Sequence, residues 1–409
     1  MAVGFACKSR ISSHLYAPRE LCYKPNIDYT TSSTKPFPGV NSAAAEGALF
    51  HAHQQQDAVF APAFELLRGA IADRIFPAAS VAVTYRGNLV ALKAIGRFTY
   101  ETNSPTATVD TVFDLASLTK VVATTSMAMI LYERGLLDLD LPVVAAVAEF
   151  AGEDPRRDAV TLRMLLAHSS GLPAYEKLFL RAKTRDELLS AAFATSLVAD
   201  PGAKAEYSDI GFIILGVALA RIAEESLDRF CQHEVFGPLA MMHTAFNPPS
   251  AWRASIPPTA DDQSFRHRII QGEVQDENAS VLGGVAPHAG LFASAGDLAI
   301  FAHAMLSGGC PILRPETVAL FTRRESSPPG TSRALGWDTP SSPSQSGKYF
   351  SSNAFGHLGY TGTSLWIDPD RQLSITLLTN RTWPDCKNEA IKQLRPKFHD
   401  AVVESLGSP

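Results

Sequence analysis

The chain has 409 residues, 46% of them hydrophobic and 19% charged, with a formal net charge of -5 at pH 7. That length suits two packed lobes around a large core, and the composition is ordinary for a globular fold. The acidic balance removes the electrostatic reason to expect a nucleic-acid partner, and no apolar run is long enough to span a bilayer.

Residues 1–56 show no clear periodicity and carry Thr30-Thr31-Ser32-Ser33-Thr34-Lys35-Pro36. They read as an extension draped on the surface. No apolar segment follows Lys8 and Arg10, so no secretory signal is visible. Cys7, Cys22, Cys231, Cys310 and Cys386 are scattered and odd in number. They fit neither a disulfide framework nor a Cys-x-x-Cys metal pattern. A reducing cytoplasm is the expected compartment, although a periplasmic or secreted chain with its signal removed would read the same.

The spacing of Phe64, Leu66, Leu67, Ala70 and Ile71 predicts a helix over 62–74. Residues 80–85 and 89–92, joined by Arg86-Gly87-Asn88, read as a β-hairpin. The run from Phe113 to Leu131 then opens a helix at Ser117 and is apolar almost all round. A helix apolar on every face belongs in an interior. Ser117 and Lys120, at i and i+3, share one face of its first turn. A buried lysine that loses its proton can activate a neighbouring hydroxyl, and Ser-x-x-Lys is a recorded nucleophile pattern. The alternative is that Ser117 is only an N-cap.

Short helices follow over 162–168, 185–194 and 211–223. Tyr207, in Glu206-Tyr207-Ser208-Asp209, is either a core aromatic with a satisfied hydroxyl or a proton carrier beside a lysine. Asp276, Glu277 and Asn278 form a polar cluster that reads as a solvated loop rather than a metal site. A helix over 298–306 and a surface loop over 339–347 come next. His357-Leu358-Gly359-Tyr360-Thr361-Gly362-Thr363 feeds a strand. It is either a tight turn with His357 at the surface, or a backbone edge open to a substrate. In the second case an N–H from this edge and that of Ser117 would form an oxyanion hole. Residues 364–367 and 373–378 make a second hairpin, and a helix over 388–406 is disturbed by Pro396.

Hairpins from both chain ends most economically share one antiparallel sheet. The fold class is therefore α/β (α+β): an antiparallel sheet flanked by helices, with an α-rich lobe inserted. Residues 57–110 and 291–409 would form the α/β lobe and residues 111–290 the α-rich lobe. The active site would lie at their junction.

Ser117-x-x-Lys120, Tyr207-Ser208-Asp209 and His357-x-Gly359, in that order, resemble the signature triplet of the serine β-lactamase-like family. That family includes class C β-lactamases, D-alanyl-D-alanine carboxypeptidases and family VIII carboxylesterases. The resemblance runs from about residue 60 to the C-terminus. It extends to Leu165-Leu166-Ala167-His168-Ser169-Ser170-Gly171-Leu172-Pro173 and to Gly283-Gly284-Val285-Ala286-Pro287-His288-Ala289-Gly290-Leu291-Phe292. It implies a β-lactamase/transpeptidase-like fold, with Ser117 the acylated nucleophile, Lys120 its base partner and Tyr207 the proton shuttle. His357 would stand where the family carries Lys. The N–H groups of Ser117 and Tyr360 would form the oxyanion hole, with Asp209 and Gly359 contacting the substrate. His168 and His288 would hold loops by hydrogen bonds. No cofactor and no metal is expected.

Two departures bear on the substrate. The second motif usually ends in Asn, and here it ends in Asp209. An ionised carboxylate cannot donate to a substrate amide carbonyl, but it can pair with Lys120 and keep it charged. His357, neutral near pH 7 unless perturbed, anchors a substrate carboxylate less firmly than Lys would. The expected function is a serine hydrolase acting on a small-molecule ester or amide, foremost a carboxylesterase for short-chain esters with weak β-lactam hydrolysis. The alternatives are a D-amino-acid peptidase, amidase or β-lactamase, and a non-catalytic penicillin-binding sensor.

Overall fold

The computed structural model describes residues 49–407. The Thr/Ser-rich run at 30–36, Lys8, Arg10, Cys7 and Cys22 lie outside the described residues.

Six strands form the main sheet. They are β1 (Phe50–His51), β2 (Ala78–Tyr85), β3 (Asn88–Gly96), β4 (Phe355–Leu358), β5 (Ser364–Asp368) and β6 (Leu373–Thr379), in the order β1-β3-β2-β6-β5-β4. The two expected hairpins are present and share this sheet, because β2 pairs antiparallel with β6 from Tyr85↔Leu373 to Ala79↔Thr379. The end of the presumed extension joins it as well. Phe50 and His51 pair in parallel with Asn88 and Leu89. Two residues of edge strand leave no periodicity in the sequence to detect.

Alternation along the strands divides the core. Val81, Val83, Ile375 and Leu377 face α1 (Ala61–Ala72) and the C-terminal helix α4 (Ile391–Ser405), which supplies Leu394, Phe398 and Val402. Ala78, Ala82, Leu365 and Leu378 face the larger core, where α3 (Ala295–Leu306) lies. With helices on both faces, the inner strands are buried along nearly their whole length, as two-sided burial requires.

Pro396 lies inside α4 without ending it. Proline withholds a hydrogen bond from the carbonyl four residues back, and the Lys392 carbonyl accepts instead from Gln345 Nε2 at 3.0 Å. The loop expected at the surface over 339–347 is therefore pinned, with Ser346 fully buried and the Gln345 carbonyl 3.1 Å from His399 Nδ1.

Between the strand pairs the chain is mostly helical. The apolar run after Ser117 opens as a π-helical turn, Lys120–Thr125, before the α-helix Ser126–Glu133. Apolar continuity cannot tell a π turn from an α turn; π turns recur at functional sites. Helix α2 (Asp209–Ala223) is capped by Ser208, whose Oγ accepts from the Gly211 N–H at 3.0 Å and donates to the Pro173 carbonyl at 2.7 Å.

Candidate active site

The turn after Phe113–Asp114 presents Ser117. Asp114 fixes that turn, accepting from the Ala116 N–H at 2.9 Å and the Gln275 N–H at 2.7 Å. Ala116 takes a left-handed φ of 47°, which costs a residue with a Cβ about 1–2 kcal/mol. Burial pushes the Asp114 carboxyl up to about 6, although both N–H groups oppose the shift.

Ser117 Oγ lies 2.6 Å from Tyr207 Oη and 3.0 Å from Lys120 Nζ. It makes no capping hydrogen bond to the helix it precedes. Lys120 is fully buried. It also reaches Asp209 Oδ1 at 2.6 Å and the His288 carbonyl at 2.9 Å. Burial pulls its ammonium below the ordinary lysine range, and the Asp209 carboxylate works against that pull. Tyr207 Oη donates to Asp209 Oδ1 at 3.0 Å. The phenol is pushed well above its ordinary range, by burial first and by Asp209 second. Burial thus favours the protonated phenol in the resting site.

The surroundings hold Tyr207 in place. His168, with φ 56°, accepts from the Ser208 N–H through Nδ1 at 3.0 Å, and its carbonyl accepts from the Glu206 N–H at 2.8 Å. Its ring packs 4.8 Å from that of Tyr207, centroid to centroid. His168 therefore holds the loop, as expected. His288 ties to Asp276 at 3.1 Å. Asp276 does not belong to a solvated loop: it caps the short helix Glu277–Val281, and Asn278 is fully buried, bonded to the Phe179 N–H and the Glu176 carbonyl. Among the described residues no group of three His, Cys, Asp or Glu side chains is placed to hold a metal.

His357 lies on β4, 3% exposed, so the surface alternative is corrected. Its Nδ1 is 2.7 Å from the Leu358 carbonyl. Burial, aided by Lys120 and Arg333, pushes its pKa down to about 3. The imidazole is neutral at pH 7 and cannot supply the positive charge of a lysine.

The segment after β4 is tied to the Ser117 turn. Thr361 Oγ1 donates to the Asp114 carbonyl at 2.8 Å and Thr363 Oγ1 to the Leu115 carbonyl at 2.9 Å. Two buried guanidiniums brace it from behind. Arg381 Nε donates to the Tyr360 carbonyl at 2.7 Å, and Arg395 Nη2 to the Gly359 carbonyl at 3.0 Å. A Cβ on Gly359 would run into Thr363 and the Leu115 carbonyl, so only glycine lets the two segments meet. The N–H groups of Ser117 and Tyr360 donate to no partner among the described residues.

These groups line one cleft of about 660 Å³ that contains Ser117, Tyr207, Asp209, His288, His357 and Tyr360. A larger hollow of about 800 Å³, bordered by Glu149, Arg157 and Phe193, shares no lining residue with it and brings no lysine to a hydroxyl. Sequence reading missed Arg333, whose guanidinium lies 5.7 Å from the Tyr207 ring centre and also lines the cleft. It missed the bracing roles of Arg381 and Arg395 too. None of the three lies in a recognisable motif; only the fold brings them here.

The family model named Beta-lactamase matches residues 63–395. An N-acetylmuramyl-L-alanine amidase of Bacillus subtilis (strain 168) is 34% identical over 302 residues, covering 66% of this chain and 68% of the relative. A putative D-alanyl-D-alanine carboxypeptidase of Escherichia coli (strain K12) is 32% identical over 306 residues, 67% of this chain and 70% of that one. Among solved structures, EstCE1, described as a hydrolase with promiscuous acyltransferase activity, superposes with a TM-score of 0.70 at 21% identity. It covers 85% of this chain and 99% of its own. At that identity the likeness concerns the fold. No helix among the described residues is long and apolar enough to cross a membrane.

Proposed function

The chain belongs to the Beta-lactamase family and is a serine hydrolase; from that premise we propose that it forms an acyl-enzyme on Ser117 and acts best on short-chain carboxylic esters. The observation that carries this reading is the placement of Ser117 Oγ within hydrogen-bond reach of both Tyr207 and Lys120 in an open cleft. Lys120 and Tyr207 flank the serine hydroxyl, whose proton must leave as the acyl bond forms. The Ser117 and Tyr360 N–H groups receive the oxyanion. Asp209 and Gly359 line the substrate's path, and His357 shapes the wall as a neutral ring. We take the cleft to lie where the part of the chain that carries the six-stranded sheet meets the mostly helical stretch inserted in it.

Esters are favoured over amides by Asp209. Its Oδ1 is taken up by Lys120 and Tyr207, and a carboxylate offers no donor to a substrate amide carbonyl. A second reading, hydrolysis of cell-wall-type amides or peptides, is favoured by the likeness to the amidase and carboxypeptidase relatives.

Intact-mass measurement after fluorophosphonate treatment should show one adduct, absent in Ser117→Ala. Specificity constants for p-nitrophenyl butyrate, nitrocefin and a D-Ala-D-Ala peptide then separate the two readings. A peptide or lactam turned over faster than the ester would replace the first with the second.

A further inference from the structure

Five short contacts tie Lys120, Ser117, Tyr207, Asp209 and the His288 carbonyl into one network. Lys120 Nζ meets Asp209 Oδ1 at 2.6 Å, the His288 carbonyl at 2.9 Å and Ser117 Oγ at 3.0 Å. Ser117 Oγ meets Tyr207 Oη at 2.6 Å, and Tyr207 Oη meets Asp209 Oδ1 at 3.0 Å. An ammonium carries three protons, and the two hydroxyls carry one each. With the lysine charged and the aspartate ionised, five protons serve five contacts. With a neutral lysine beside an ionised aspartate there are only four, and one of the five contacts would bring two acceptor atoms together with no proton between them.

With the lysine charged and the aspartate ionised, the same count gives a direction. A carbonyl and a carboxylate only accept, so all three lysine protons point outward and one of them goes to Ser117 Oγ. The serine must then donate to Tyr207 Oη, and Tyr207 must donate to Asp209. We infer that Ser117, Tyr207 and Asp209 form a one-way proton relay that ends on Asp209, with Lys120 remaining an ammonium that orients the serine. This inference rests on the reading of Ser117 as nucleophile and divides the proton handling within it.

The step balances without an outside partner. As Ser117 Oγ bonds to the ester carbonyl carbon, the carbonyl π pair moves onto oxygen. The serine proton passes to Tyr207 Oη, and the tyrosine's own proton passes to Asp209 Oδ1. When the tetrahedral intermediate collapses, the carbon–oxygen bond to the alcohol breaks. The leaving oxygen takes a proton from Tyr207, which recovers one from Asp209. Water repeats the cycle to release the acid.

Charges around the relay suit it. Lys120 Nζ lies 4.9 Å and the Arg333 guanidinium 5.7 Å from the Tyr207 ring centre. Two cations thus face the group through which both protons pass, while the His168 and His357 rings that pack against it are held neutral by burial. Asp209 stays in touch with the cleft, its side chain 15% exposed.

The test uses the full chain and p-nitrophenyl butyrate. Asp209→Asn keeps the size and the acceptor oxygen but cannot take up a proton, so kcat should fall about a hundredfold. Asp209→Ala should fall at least as far and regain turnover as sodium formate is added, because formate restores a proton acceptor where a structural role would not be restored. Wild-type rates in H2O/D2O mixtures should bow with isotope fraction, as two protons in flight require. Wild-type turnover in Asp209→Asn, no rescue by formate in a folded Asp209→Ala, or a linear isotope plot would overturn the relay. Fluorophosphonate labelling of Ser117 in the same samples keeps the outcomes apart. If Ser117 labels and the relay tests fail, the relay alone falls; if Ser117 does not label, the nucleophile assignment falls.

Discussion

Lys120 Nζ stands 2.6 Å from Asp209 Oδ1, with the lysine side chain wholly buried. Such a pair gives up hydration that its mutual attraction only partly returns, so apolar replacement of both partners often leaves stability unchanged or raises it. The double variant Lys120→Met/Asp209→Leu should therefore unfold at the same or a higher urea midpoint than the wild type, by up to about 1–4 kcal/mol. Lys120→Met alone should be the less stable protein, because it leaves Asp209 without its cation. Neither variant should turn over ester. A double variant less stable than Lys120→Met would mean that the pair is a net support of the fold.

Acid should destabilise this protein through its buried imidazoles. His357 and His399 are each lowered from 6.5 to about 3, mainly by burial. Between those values the unfolded chain binds a proton that the folded chain refuses, so stability rises with pH by up to about 1.4 kcal/mol per pH unit for each group. Asp114 has the opposite sign. Raised from 3.8 to about 6, it holds a proton in the folded state that the unfolded chain has lost, and its contribution fades as pH rises through 6. Urea midpoints should fall from pH 7 to pH 5. In His399→Gln, a position that does not line the cleft, the fall should be smaller by roughly one proton's worth; an equal fall would show that His399 titrates normally.

The two hairpins were legible because each combines a short polar turn with strands of β-forming residues: Arg86-Gly87 in one, Asp368-Pro369-Asp370 in the other. Their pairing followed from the economy of one sheet. The edge strand at Phe50–His51 was not legible, since two residues carry no period. In the site, Ser117, Lys120, Tyr207 and Asp209 could be named from motifs, and the fold brings all four together. Their protonation could not be read from the sequence. It depends on burial and on which oxygen meets which nitrogen: burial and the Asp209 carboxylate both favour the protonated phenol of Tyr207. Asp276 looked like loop because a single capping residue and a five-residue helix leave too short a pattern to read.

Gly359 offers a clean test of the proposed oxyanion site. Its place against Thr363 and Leu115 leaves no room for a methyl group. Gly359→Ala should push the segment carrying the Tyr360 N–H away from the Ser117 turn and strain the Thr363 bond to the Leu115 carbonyl. Loss of one oxyanion donor lowers kcat about 100- to 1,000-fold. The expected result is a loss of that order in kcat for p-nitrophenyl butyrate with fluorophosphonate labelling of Ser117 slowed in parallel. Normal turnover would place the oxyanion elsewhere.

Arg333 is the cation that no motif announced. His357 is neutral, so the charge a lysine would have brought to the third motif is missing, and the guanidinium of Arg333 reaches the Tyr207 ring from residue 333 instead. Its ion pair with Asp338 is long, 3.6 Å, about a fifth of each side chain is exposed, and Arg333 lines the cleft. A cation there favours any negative charge that gathers on the Tyr207 oxygen as a proton crosses it. Arg333→Met should lower kcat for the uncharged p-nitrophenyl butyrate about tenfold, equivalent to about 1.4 kcal/mol, with KM little changed; Arg333→Lys should recover most of the loss. If Arg333 serves instead to dock an anionic part of the substrate, the methionine variant will hydrolyse the uncharged ester at the wild-type rate. Only esters bearing a carboxylate will then suffer, and they will suffer in KM.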